Sequence, residues 1–325
     1  MKKIIIPILC VILCAAAFSG CAGNTQTGDG KISVVVTVFP QYDWVRNIIG
    51  DKASEFDLTL LLDNGVDLHS YRPTADDIIK ITDCDILIYV GGESDGWLDD
   101  ILKKNENKKM TTVNLLKELG DKAVTEELKE GMQGEEEGEE EEEEYDEHIW
   151  LSLKNAAVLC PVICDAVCKA DAENRAIYEQ NTDKYVGELK ALDEKYKAAV
   201  DSSSVKTLLF GDRFPFRYMT NDYGLDYYAA FIGCSAESEA SFETIMFLAN
   251  KVDELSLKSI CKIENSDGKI AETIKTTAKT TDISVVTFDS MQSTTMLDIN
   301  NGVTYLSVME KNLTALKEAL KQEAK

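Results

Sequence analysis

The chain has 325 residues, 44% of them hydrophobic, and a formal net charge of −24. Such a length has a prior of roughly two domains, and the apolar fraction is enough for real cores. The charge excludes a nucleic-acid or anionic-lipid binder and suits a protein that attracts cations.

Met1-Lys2-Lys3 is a basic start, and Ile4 to Phe18 is an apolar run of fifteen residues. That run is shorter than the roughly 20 residues needed to span a bilayer, so it reads as an export signal. The small residues before Cys21 resemble a bacterial lipoprotein signal over residues 1–20, with the lipid carried on Cys21. An ordinary secretory signal with a chance cysteine is the plainer alternative. Two acyl chains anchor a product stably where one does not. Residues 21–30, AGNTQTGDG after the cysteine, read as a polar tether.

Short apolar runs then predict buried strands: ISVVVTV (32–38), DLTLLL (57–62) and DILIYV (85–90), followed later by VKTLLF (205–210), YYAAFI (227–232), KSICKI (258–263) and ISVVTF (283–288). Helical stretches lie between them, including Tyr42–Ile49, Thr74–Ile81, Glu93–Lys103, Glu239–Leu255 and Lys269–Lys279. Strand alternating with helix predicts parallel sheets covered on both faces. The pattern occurs twice, which predicts an α/β protein of two Rossmann-like lobes.

Between the two halves, GEEEGEEEEEEYDEHIW (134–150) packs glutamates densely and then turns to His148, Ile149 and Trp150. Self-repulsion predicts a solvated acidic loop, residues 130–147. Beyond it, Tyr178, Tyr185, Leu189, Leu192, Tyr196 and Ala199 recur at helical spacing, with Asp171 as a candidate N-cap. About 28 residues at 1.5 Å each make a rigid rod of roughly 40 Å, long enough to tie both lobes together. The expected organisation is therefore an N-terminal lobe at 31–170, a connecting helix at 171–200 and a C-terminal lobe at 201–325. The last stretch, Val303 to Ala324, carries an amphipathic helix.

Outside the signal there are six cysteines: Cys84, Cys160, Cys164, Cys168, Cys234 and Cys261. Cys160, Cys164 and Cys168 share one helix face. A thiolate metal site is conceivable there, but free cysteine packs as a small hydrophobe and that reading is preferred. No Cys-x-x-Cys pair is present, which argues against zinc-ribbon or thioredoxin chemistry. A disulfide between Cys234 and Cys261 is left open.

In parallel α/β sheets ligands bind outside the carboxyl ends of the strands. His69 follows DLTLLL, Asp212 and Arg213 follow VKTLLF, Glu264 follows KSICKI, and Asp289 follows ISVVTF. The chain has two histidines, His69 and His148. Two imidazoles and a carboxylate converging on one interlobe cleft suit zinc and are accepted by manganese. Each residue has a plainer role as well, a satisfied polar group for either histidine and a helix cap for Asp289.

The wording around the histidines decides between these roles. VVTVFPQYDWVRNIIGD, LLLDNGVDLHSYRPTADDI, DCDILIYVGG…WLDDIL, DEHIWLSLKNA and GVTYLSVMEKNLTALKEAL resemble the metal-binding lipoproteins that feed zinc or manganese to ABC importers. The family patterns are close to G-V-D-P-H-x-Y-x-P-[ST] and D-x-H-x-W-x-x-P-x-N-A. The resemblance runs from about residue 34 to the C-terminus. It implies two α/β lobes joined by one long helix, with both histidines as metal ligands. It also implies a third ligand, His or Glu, at the end of the first C-lobe strand, which falls on Gly211. The set it supports is His69, His148 and Asp289, with a fourth position left to water, Asp212 or no assignment.

The resemblance implies a monomeric extracytoplasmic receptor, lipid-anchored at Cys21 to the cell membrane. Its transported ligand is Zn²⁺ first and Mn²⁺ second, delivered to an ABC permease, and no nucleic acid is involved. The competing reading is a surface, adhesin-like lipoprotein whose metal binding has weakened. A zinc hydrolase has no motif-supported base, and no enzyme is expected.

Overall fold

The structure, a computed structural model, describes residues 30–133, 144–235 and 239–321. The signal at 1–20, Cys21, the tether up to residue 29 and the glutamates at 135–143 lie outside them. From Ile32 onward the chain forms one compact unit, and its architecture is two parallel four-stranded sheets with helices on their faces.

The N-lobe sheet contains β1 (Ile32–Val36), β2 (Phe56–Leu60), β3 (Ile86–Tyr89) and β4 (Thr111–Asn114), in the order β2-β1-β3-β4. Val34 faces Leu58 on one side and Ile86 on the other, so a run of β-branched residues sits at the sheet's centre. Around it pack α1 (Phe39–Ile49), α2 (Ala75–Asp83), α3 (Trp97–Lys104), α4 (Leu115–Leu119) and α5 (Leu153–Ala170). The C-lobe repeats the order with β5 (Thr207–Phe214), β6 (Asp226–Ile232), β7 (Ser259–Ile263) and β8 (Ser284–Phe288), as β6-β5-β7-β8. Its helices are α7 (Arg217–Tyr223), α8 (Phe242–Leu255), α9 (Lys269–Thr277), α10 (Met296–Asn300) and α11 (Tyr305–Ala319).

The connecting helix α6 spans Arg175–Ser202, 28 residues. It packs on α1 and α5 of the N-lobe and on α7 and α11 of the C-lobe. Tyr178, Tyr185, Leu189, Leu192 and Tyr196 form its buried stripe. The helix begins four residues after Asp171. That residue instead ends α5, its N–H bonded to Val167 O, and its carboxylate accepts from Tyr178 Oη at 2.6 Å and Asn174 Nδ2 at 2.7 Å.

One apolar cluster runs through the N-lobe, α6 and the inner face of the C-lobe sheet, with Trp44, Trp150, Tyr196, Phe210, Phe288 and Tyr305 among its fully buried members. A smaller cluster, including Leu209, Leu248, Val252, Ile260 and Ile274, covers the outer face of the C-lobe sheet. Cys160, Cys164 and Cys168 are buried on α5 within the large cluster. The six described cysteines, Cys234 and Cys261 included, are free thiols.

Candidate metal centre

His69 is delivered by the β2–α2 connection. Leu68, buried, anchors a short 3₁₀ turn over Leu68–Ser70. The Asp67 carboxylate holds the turn by accepting the His69 N–H at 3.1 Å. His148 is delivered by the long connection after β4, just ahead of the buried Ile149-Trp150-Leu151. Its backbone N–H and its Nδ1 both bond one oxygen of Asp146, at 2.8 and 3.0 Å. Trp150 packs against the imidazole with the ring planes 61° apart and their centroids 5.4 Å apart.

The two imidazoles meet. Their Nε2 atoms are 3.2 Å apart, and the remaining ring nitrogen of His69 lies 2.7 Å from Ser94 Oγ. Each ring therefore has its Nδ1 tethered and its Nε2 turned toward the other ring. A carboxylate or hydroxyl behind a ligating histidine is what fixes tautomer and orientation in metal sites. Bonds of about 2.05 Å at a tetrahedral angle put two nitrogens about 3.3 Å apart. The observed separation fits one ion shared by both rings.

Electrostatics divide the pair. Burial, then the neighbouring His148, push the His69 pKa down to about 3. Burial alone would depress His148 too, but Asp146, with Glu126 and Glu147 further off, outweighs it and raises the value. The two rings thus lie in unequal fields, His69 pushed down and His148 up.

Four further side chains complete the cluster. Arg213 donates to Asp67 Oδ2 at 2.8 Å. Against the cost of burial, that guanidinium holds the Asp67 carboxyl below its usual range. In the amide orientation its neighbours dictate, Gln292 donates to both Asp67 oxygens at 2.9 and 3.0 Å and accepts from His148 Nε2 at 2.9 Å. Cys234 lies with both histidines, ligand atoms all within 4.8 Å of one another, and Glu126 and Asp146 form a like group with His148.

The two expected aspartates are placed differently. Asp289 is in no such group with the histidines among the described residues. Its Oδ1 accepts from Met291 N at 2.9 Å, and Asn312 clamps its backbone with two bonds of 2.8 Å. Burial and the nearby Glu264 push its pKa up to about 6. Asp212 is buried, its oxygens accepting from the N–H groups of Arg213 at 2.9 Å and Ile263 at 3.3 Å. Arg213 makes its ion pair with Asp67, across the lobes.

Gly211, on which the resemblance places the family's third ligand, has no side chain to offer. A Cβ built on it would sit 2.6 Å from Ala271 Cα, so this face of β5 is closed by α9. Pairing of β5 with β6 shifts register between Phe210 and Arg213, where three steps on β5 match two on β6. Such an irregularity re-aims a side chain, and here it turns Arg213 toward Asp67. The alternating pattern of an ideal strand cannot announce that shift. Cys234 and Gln292 carried no motif that marked them in the sequence, whereas Asp146 stood in the D-x-H spacing.

The family model described as zinc-uptake complex component A, periplasmic (ZnuA), matches residues 34–319. The chain is 31% identical to the zinc-binding lipoprotein AdcA of Streptococcus pneumoniae, over 99% of this chain and 62% of that one, so it spans under two thirds of that relative. It is 29% identical to the high-affinity zinc uptake system protein ZnuA of Bacillus subtilis, over 96% of this chain and 95% of the relative. Among solved structures, the Zn(II)-bound ZnuA-like domain of S. pneumoniae AdcA matches with a TM-score of 0.70 at 28% identity, covering 90% of this chain and 100% of that one. The metal-dependent lipoprotein YcdH of B. subtilis matches with a TM-score of 0.72 at 26% identity, covering 89% and 99%. With two lobes built on the same plan and a cleft centred on paired imidazoles, the chain belongs to the ZnuA family of zinc-uptake components, a transport and not a catalytic family.

Proposed function

We propose that this chain is an extracytoplasmic receptor that captures one divalent transition ion in the cleft and hands it to an ABC permease. It would be held at the outer membrane face by lipid on Cys21. The observation that carries the reading is the pair of Nε2 atoms 3.2 Å apart, each ring fixed from behind by Ser94 or Asp146. Neutral imidazole favours a borderline ion over Mg²⁺ or Ca²⁺, which take oxygen donors. Zn²⁺ is the first candidate, in keeping with the names of the AdcA and ZnuA relatives, and Mn²⁺ the second. The test is elemental analysis and titration calorimetry on the chain from residue 22, beside His148→Ala. One equivalent of zinc bound by the parent and lost in the variant is the expected result. A parent that takes up neither zinc nor manganese refutes the reading.

Arg213 supports a second reading, a surface-interaction lipoprotein with weakened metal binding. A fixed positive charge stands beside the histidines, and the expected aspartates are bonded elsewhere. Calorimetry in the presence of a weak competing chelator separates the two. Heat from zinc under that competition removes the second reading, and its absence favours it.

A further inference from the structure

We propose that the Cys234 thiolate is the third protein ligand of the cleft ion, giving a His69–His148–Cys234 donor set that selects Zn²⁺ over Mn²⁺. The inference rests on the reading of the cleft as a transition-metal site. The turn after β6 carries Cys234 to the carboxyl edge of the C-lobe sheet, opposite both imidazoles. Its Sγ shares a sphere with their nitrogens, no two of these atoms more than 4.8 Å apart. Zn–S of about 2.3 Å and Zn–N of about 2.05 Å imply a tetrahedral S···N separation near 3.6 Å. The closure needed is therefore at most about 1.2 Å.

Both neighbours of Cys234 are pinned. Gly233 lies so close to the His148 ring that a Cβ on it would sit 3.0 Å from Cε1. The Ser235 carbonyl accepts from Arg213 Nη1 at 3.3 Å. The surroundings also separate Cys234 from the packing cysteines. Cys160, Cys168 and Cys261 are 0% exposed and belong to the apolar cluster. Cys234 is half-buried, and its charged neighbours are Glu126, Asp146 and Glu147, with its thiol hydrogen-bonded to Glu126. On coordination the S–H bond breaks, the sulfur pair goes to the metal, and the proton passes to the Glu126 carboxylate that already faces it. Two neutral imidazoles bring no negative charge to a dication, and Asp67 is neutralised by Arg213. The thiolate supplies one, and its softness suits zinc and disfavours manganese.

Co²⁺ titration of the mature chain tests this. The parent should show an intense near-ultraviolet sulfur-to-cobalt charge-transfer band, and Cys234→Ser should lose it while still folding, as judged by circular dichroism and melting. Loss of a residue behind a ligand costs 10–100-fold in affinity, so loss of the ligand should weaken zinc by about 100-fold or more in both Cys234→Ser and Cys234→Ala. If the parent binds cobalt without that band, or both variants keep the parent's zinc affinity, Cys234 is not a ligand although the cleft still binds metal. If the parent binds no ion, the proposal falls together with the reading beneath it.

Discussion

Asp146 holds His148 with two bonds to one oxygen and is itself almost fully buried, at 2% exposure. Its substitution should act on the metal through the ring that it orients. Asp146→Asn keeps the volume but weakens the acceptor, so zinc affinity should fall about 10–100-fold by competition titration, with the melting temperature little changed. An unchanged affinity would mean that His148 needs no orienting partner. A second buried acid, Asp95, makes a prediction in pH. One oxygen accepts from Gly91 N at 3.0 Å while the other has no partner, and burial pushes the pKa up to about 7. Its unfolded value is near 3.9. Between about pH 4 and 7 the folded state keeps a proton that the unfolded state has lost, so this group makes stability fall as pH rises through that window. Asp95→Asn should remove that slope and stabilise the protein at pH 8 by about 2–4 kcal/mol relative to pH 4, read from urea unfolding at both. A difference that is the same at both pH values would show that Asp95 titrates normally. At this scale the two histidines were legible because imidazole is scarce in the chain and both stand beside distinctive spacings. Asp289 was singled out by its strand-end position and by the family resemblance, and neither says where its carboxylate points.

The irregular pairing in β5 is the element that sets the C-lobe's contribution to the cleft. Gly211 lets α9 lie directly on the strand, and the shift beyond it turns Arg213 across to the N-lobe. Gly211→Ala should therefore press on the Ala271 backbone, not a side-chain tip that can move aside. Overpacking of this kind costs about 1–3 kcal/mol, and the fall should appear in chemical denaturation. If stability is unaltered, the approach of α9 is slack. Strands β1, β2, β3 and β5 to β8 were readable from their apolar runs, because a sheet covered on both faces demands them. The remaining strand, β4, reads TTVN, with Val113 its one buried residue, and at the sheet edge it gave no such signal. The start of α6 was misread by four residues because Asp171 was free to serve either helix, and its bonds to Asn174 and Tyr178 settle the turn between them.

Across the whole molecule, charge and rigidity make separate predictions. The residues 134–143 carry eight glutamates, while Gln133 N bonds Ala230 O and Asp146 holds the site. Excising only 134–143 should leave zinc affinity within about twofold and slow capture at low salt, since exposed charge steers cations over no more than about 10 Å at 0.1 M ionic strength. A collapse of affinity would make the run a ligand. Rigidity follows from what crosses between the lobes. Tyr305 Oη donates to Trp150 O at 2.6 Å, Trp150 Nε1 donates to Ser290 O at 2.8 Å, and Tyr305 N donates to Asp43 Oδ2 at 3.0 Å. The first two of these bonds are at Trp150, two residues from His148, and Tyr305 and Trp44 pack edge to face at 5.4 Å in the same shared core. Opening the lobes as rigid bodies would tear them and expose Trp150, Tyr305 and Trp44 together, each worth about 1.5–3 kcal/mol or more of burial. Two Nε2 atoms need only separate by an ångström or so to release an ion. Release should then involve the turns that carry His69 and Cys234, with the lobes fixed. X-ray scattering of metal-free and zinc-loaded protein should give superimposable curves, and hydrogen exchange should change at residues 63–71 and 230–235 while α6 stays protected. A clear increase in the radius of gyration on metal removal would show that the lobes part and that the shared core is no barrier to it.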